Sequence, residues 1–158
     1  MSTDFRLVVL LIALVLGSVT LGGGIYETIL VDRVWPKNPA MIQPSRGGLN
    51  RKVFWMITHP PYELALLASV WLNWAFSAAR PWLILALVAH FGARVWSFAY
   101  FIPRALRFEE LSDLTNDQRK QADRWVALSR VRPLIETVAV IALCVAIVLE
   151  AGNLPAAS

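Results

Sequence analysis

The sequence predicts an all-α, membrane-embedded four-helix bundle, and three observations carry that expectation. Of 158 residues, 57% are hydrophobic and only 16% charged, where a soluble domain carries about 25% charge. Four apolar stretches, 7–31, 53–78, 81–102 and 131–149, stand out, each near the roughly 20 helical residues that cross the hydrocarbon layer. None alternates in polarity as barrel strands do, and backbone groups in lipid must be satisfied internally. One transmembrane domain over 1–158 follows, with a mean hydropathy of +0.54.

The first stretch follows Met1-Ser2-Thr3-Asp4-Phe5-Arg6, a start that a secretory leader also uses. Its apolar run exceeds the 7–15 residues or so of a cleaved leader, and no A-x-A site closes it, so it reads as a span. Gly17 and Gly24 lie seven apart on one face, where small residues let membrane helices approach. The alternative is a kink or widened pocket before Glu27.

The segment 32–52 is rich in turn formers, with Pro36, Pro39, Pro44, Gly47 and Gly48. The second stretch contains Thr58-His59-Pro60-Pro61-Tyr62-Glu63. Proline suits a first helical turn and disrupts an interior. The span therefore starts near Pro60, capped by Thr58 or His59, or a longer helix kinks there. Ala79-Arg80-Pro81 joins spans two and three in a tight turn, and span three is expected to end at Pro103. Thr115 or Asn116 is expected to cap a short charged helix near 117–130 that leads into the last span.

The net charge is +4. Lys and Arg collect in 32–52 and 103–130, and cytoplasmic loops attract them. The expected protein is therefore a multi-pass, bacterial-type inner-membrane protein with both long loops cytoplasmic and both termini outside. Topology accounts for the charge without nucleic acid. The expected partners are the lipid bilayer and a hydrophobic small molecule, and homo-oligomerisation stays open. Most of the seven tryptophans fall near span ends, as in an interfacial belt; Trp96 is a candidate for a pocket.

Charged groups in lipid are costly and usually face the bundle interior. Here they are Glu27, Glu63, His90, Arg94 and Glu136, with His59 and Arg132 at span borders. Because the chain reverses at each crossing, all fall in the cytoplasmic half. His59 and Glu63, His90 and Arg94, and Arg132 and Glu136 are each four apart, which stacks each pair on one helix face. Phe98 and Phe101 continue the Arg94 face, so a polar floor with aromatic walls is expected.

Three readings of this layer compete. Glu27 or Glu136 can pair with Arg94 or Arg132 as a structural core. Glu27, His59, Glu63, His90 and Glu136 can serve as ligands to iron, copper or zinc. Without a metal, the same five can act in acid–base catalysis while arginine holds an anionic oxygen. Arg94, Arg132, Tyr62, Trp96, Phe98 and Phe101 are the expected substrate-binding residues. Haem between the two histidines is disfavoured, since they are expected at different depths. Cys144 lies in the opposite, apolar half.

The glycines followed by an acidic position late in span one, and Arg124-Trp125-Val126-Ala127-Leu128-Ser129-Arg130-Val131-Arg132-Pro133 before the last span, resemble the anthrone oxygenase-like four-span membrane proteins. That resemblance implies oxidation of a phenolic or polycyclic substrate by dioxygen, with no classical cofactor required. His59-Pro60-Pro61-Tyr62-Glu63 is no part of it. The resulting expectation is a membrane oxidoreductase or oxygenase. A metal-free isomerase or hydrolase, and a small transporter or assembly subunit with an ion-paired core, are the alternatives.

Overall fold

A computed structural model describes residues 3–76, 78–111 and 113–152; the chain ends, which the expected orientation invokes, lie outside these. Among the described residues the chain is helical without strands. The helices are α1 (Thr3–Tyr26), α2 (Arg51–Leu72), α3 (Arg80–Trp96), α4 (Ile102–Glu110), α5 (Asn116–Ser129) and α6 (Val131–Ala151). Three helical stretches, Asp4–Val31, Arg80–Glu110 and Asn116–Ala151, are long and apolar enough to cross a membrane. α6 packs against α1 and α3, and α2 packs against the same two.

The polar residues of α2 decide where its neighbours meet. Arg51, Trp55, His59 and Glu63 recur every four residues and so share one face. The helix runs through Pro60 and Pro61, which lack the N–H groups that would bond the carbonyls of Met56 and Ile57. Thr58 is no cap; its hydroxyl donates to the Phe54 carbonyl at 3.0 Å. At the other end α2 stops at Leu72, short of the expected 78, because Asn73 closes it. Both its backbone N–H (3.1 Å) and its side-chain amide (2.9 Å) bond the Ser69 carbonyl.

Two wide π-helical turns, Glu27–Val31 and Ser97–Phe101, extend α1 and join α3 to α4. In each the next residue bonds five back: Asp32 N–H to Glu27 at 2.8 Å, and Ile102 N–H to Ser97. Pro103 therefore does not end the third helix. It lies in the first turn of α4, directly after the π turn, and the helical stretch Arg80–Glu110 runs on through it. Thr115 caps α5 as expected, in a reciprocal capping box with Gln118.

The core has two parts. Between the long helices, Leu10, Ala13, Leu66, Leu83, Ala86 and Leu143 are buried among alanines that bring α6 close to its neighbours. Over the end bearing the two long connections sits a cap of Trp35, Ile42, Phe101, Phe108, Leu114 and Trp125. The Gln43 amide donates to the Leu111 carbonyl across it. Trp35 and Trp125 are 0% and 2% exposed, a departure from the expected belt. Each satisfies its indole N–H, to Asp32 at 3.2 Å and to the Phe101 carbonyl at 3.1 Å. Trp71, 77% exposed, fits an interfacial position.

Candidate functional site

The polar residues of the long helices gather beneath this cap. His90, fully buried on α3, places Nδ1 3.1 and 3.0 Å from the two oxygens of Glu136 on α6. A carboxylate only accepts, so Nδ1 carries a proton, and in the neutral imidazole Nε2 then keeps its lone pair. Nε2 has no hydrogen-bond partner and faces the Glu63 Oε1 at 3.8 Å. Glu63 is fixed in turn by Arg94, whose Nε donates to Oε1 at 2.8 Å, which leaves Oε2 free of that bond. His59 completes the group. Its ring stacks on Trp55 with centroids 5.0 Å apart and stands 5.7 Å from His90, and its buried Nδ1 is without a partner.

One ligand atom each from His59, Glu63 and His90 lies within 4.8 Å of the others, so these three residues could hold a metal ion. Ligand bonds of about 2.0–2.2 Å place neighbouring ligand atoms about 3–3.5 Å apart, so the group needs to contract by about an ångström. The donors are chemically suited to a transition metal, being two imidazoles and one carboxylate, with a second carboxylate setting the tautomer of His90. The two histidines share one level because α2 continues upstream of Pro60, which puts His59 inside a helix rather than at a span border.

The other expected residues divide. Glu136 holds His90 rather than joining the three. Glu27 pairs with Arg51 at 3.0 Å and not with Arg94 or Arg132. Tyr62 is fully buried, its ring 4.4 Å from His90 and packed on Gly17, where a Cβ would sit 3.0 Å from it. Close packing is thus what Gly17 provides. Trp96 packs on Phe101 at 4.9 Å, away from the cavity wall.

Beside the three lies a cavity of about 560 Å³ bounded by all four long helices and by α4 and α5. Of the three, His59 lines it; Glu63 and His90 do not, but the groups that hold them, Arg94 and Glu136, do. Phe98, Phe101, Arg132 and Gly24 are on the wall. Both π turns contribute residues, and such turns recur at functional sites.

Sequence reasoning missed Arg51, Glu109, Asp32 and Ser129. Arg51 bridges Glu27 and Glu109 (3.6 Å), and Lys52 meets Glu109 at 2.8 Å. The four-residue recurrence from Arg51 to Glu63 is the signal that would have found Arg51. Asp32 is buried, accepting from the Ser129 hydroxyl at 2.5 Å; burial pushes its carboxyl up to about 6. A further pair, Arg6–Glu150 at 3.0 Å, closes the opposite end. No protein family, curated protein or solved structure matches the chain.

Proposed function

We propose that this protein is a membrane-embedded, metal-dependent oxidoreductase acting on a hydrophobic small molecule. In this reading four helices form the membrane bundle, with both termini outside and the capped end in the cytoplasm. The observation that carries it is the two-histidine, one-carboxylate group of His59, Glu63 and His90 beside an aromatic-walled cavity. Such a ligand set leaves coordination positions open and suits non-haem iron. Copper and zinc are the alternative metals. The resemblance to anthrone oxygenase-like proteins points to phenolic or polycyclic substrates and dioxygen.

The bound metal would supply redox chemistry at an open position. The chain's own part is arrangement. Glu136 fixes the His90 ring and tautomer, Arg94 orients the Glu63 carboxylate, and Trp55 stacks His59. The cap of Trp35, Phe108 and Trp125 keeps water from the capped end, and Phe98 and Phe101 offer apolar faces to a ring-bearing substrate.

A second reading is favoured by the His90–Glu136 contact itself, which is also the arrangement of a metal-free acid–base pair. The two separate in one experiment. Purified protein loaded with ferrous iron is given lipophilic phenols and isotopically labelled dioxygen. Label in the product, lost in His59→Ala and Glu63→Ala, supports the oxidoreductase. Substrate conversion that needs neither metal nor dioxygen sinks it in favour of acid–base catalysis.

A further inference from the structure

The cavity wall carries four cations, Arg51, Lys52, Arg94 and Arg132. Three are committed: Arg51 to Glu27 and Glu109, Lys52 to Glu109, and Arg94 to Glu63. Arg132 differs. Among the described residues no carboxylate lies within ion-pair distance of it, and its buried Nε has no hydrogen-bond partner. Its guanidinium lies 4.3 Å over the Phe101 ring and 5.6 Å from that of Trp125. Aromatic faces soften a buried cation, but they accept no in-plane hydrogen bonds. A guanidinium keeps its proton, so the charge persists. Its planar fork of donors matches the two oxygens of a carboxylate or phosphate.

Besides these cations the wall holds Glu27, Glu109, Glu136 and His59 together with apolar side chains. Met56 and Phe98 are 74% and 59% exposed, so the cavity's apolar side reaches the outer surface of the helices, where lipid tails would lie. Arg132 also precedes Glu136 by four residues on α6, about 6 Å along the axis. A head group held at Arg132 would leave the adjoining part of its owner one helical turn from the carboxylate that orients His90.

We propose that the cavity's ligand is an amphiphile with one anionic head, held by Arg132, its apolar body lying along Phe98 and Met56. Resting on the function proposed above, this names the substrate class of that site: a lipophilic acid or phenolate rather than a neutral hydrocarbon.

The test is equilibrium binding of lauric acid and of lauryl alcohol to the protein in phosphatidylcholine nanodiscs, at a pH where the acid is ionised. The acid is expected to bind about tenfold tighter or more, the worth of one charge-assisted hydrogen bond. Arg132→Gln is expected to abolish that preference by weakening acid binding far more than alcohol binding, while Arg132→Lys keeps part of it. Equal affinities in the native protein, or a preference surviving in Arg132→Gln, overturn the proposal. The native comparison stands even if a variant fails to fold. Displacement of the acid by phosphatidylglycerol placed in the disc assigns Arg132 to a lipid head group and overturns the substrate assignment; no displacement supports it. Metal content is read on the same samples. Acid preference without metal leaves this inference and removes the metal reading, and metal without acid preference does the reverse.

Discussion

His90 Nδ1 lies 3.1 and 3.0 Å from the two oxygens of Glu136, and its Nε2 faces Glu63. One carboxylate thereby decides which nitrogen of a buried imidazole is free to act. Glu136→Gln is expected to keep the fold, because an amide oxygen can still accept from Nδ1–H. Its weaker acceptor and its freedom to flip should lower metal affinity about 10- to 100-fold. Competition with a chromophoric chelator measures this. Unchanged affinity would mean that Glu136 has no part in the site.

The glycines of α1 give a graded series. A Cβ at Gly17 would sit 3.0 Å from the fully buried Tyr62, which itself packs on His90. Gly17→Ala is expected to destabilise by about 1–3 kcal/mol through overpacking. At Gly23 the clash is with Phe54, a 37% exposed side chain that can swing away, so the cost should be smaller. Gly22 meets nothing within 4 Å, and Gly22→Ala should gain up to about 1 kcal/mol from helix propensity. Thermal unfolding in detergent ranks the three.

Asp32 predicts a pH dependence. Its carboxyl is raised from 3.8 to about 6 by burial, with Glu27 adding to the rise and Ser129, Arg51 and Arg132 opposing it. The folded protein therefore holds this proton more tightly than the unfolded chain. Its contribution to stability is full below about pH 3.8 and is lost as pH rises through about 6. The shift corresponds to roughly 3 kcal/mol. Relative to Asp32→Asn, which does not titrate, the native protein should gain stability as pH falls from about 7 to 5. A difference between the two that stays flat over this window would show that Asp32 is not held in this way.

At the far end Glu150 is fully buried against Arg6, which keeps a side-chain exposure of 23%. Arg6→Ala strands a buried carboxylate, whereas Arg6→Ala with Glu150→Ala removes both charges. The single variant is expected to cost up to about 3–5 kcal/mol, less because Arg6 is partly solvated, and the double variant clearly less. A double variant as unstable as the single would show that the pairing is not what holds this end.

Much of this was legible in the residues. Apolar run lengths gave the helices, and intramembrane charge placed Glu63, His90, Arg94 and Glu136 in one layer. Which charge meets which was not legible, because pairing depends on the rotation of each helix, and that is set by packing. The proline pair left a start near Pro60 and a longer helix both open; the longer helix is the one observed, and its start at Arg51 and the true level of His59 were not legible. Pro103 looked like an end because a π turn, which has no local sequence signature, absorbs it. Trp35 and Trp125 looked interfacial because the packing of one long connection on the other is a tertiary event.

Elemental analysis of the purified protein beside a His59→Ala/His90→Ala variant, both prepared without chelator, addresses the metal directly. The expected result is a near-stoichiometric transition metal in the native protein that is absent from the folded variant. Equal metal in both, or none in either after incubation with iron, copper and zinc, would contradict the assignment of His59, Glu63 and His90 as a metal site.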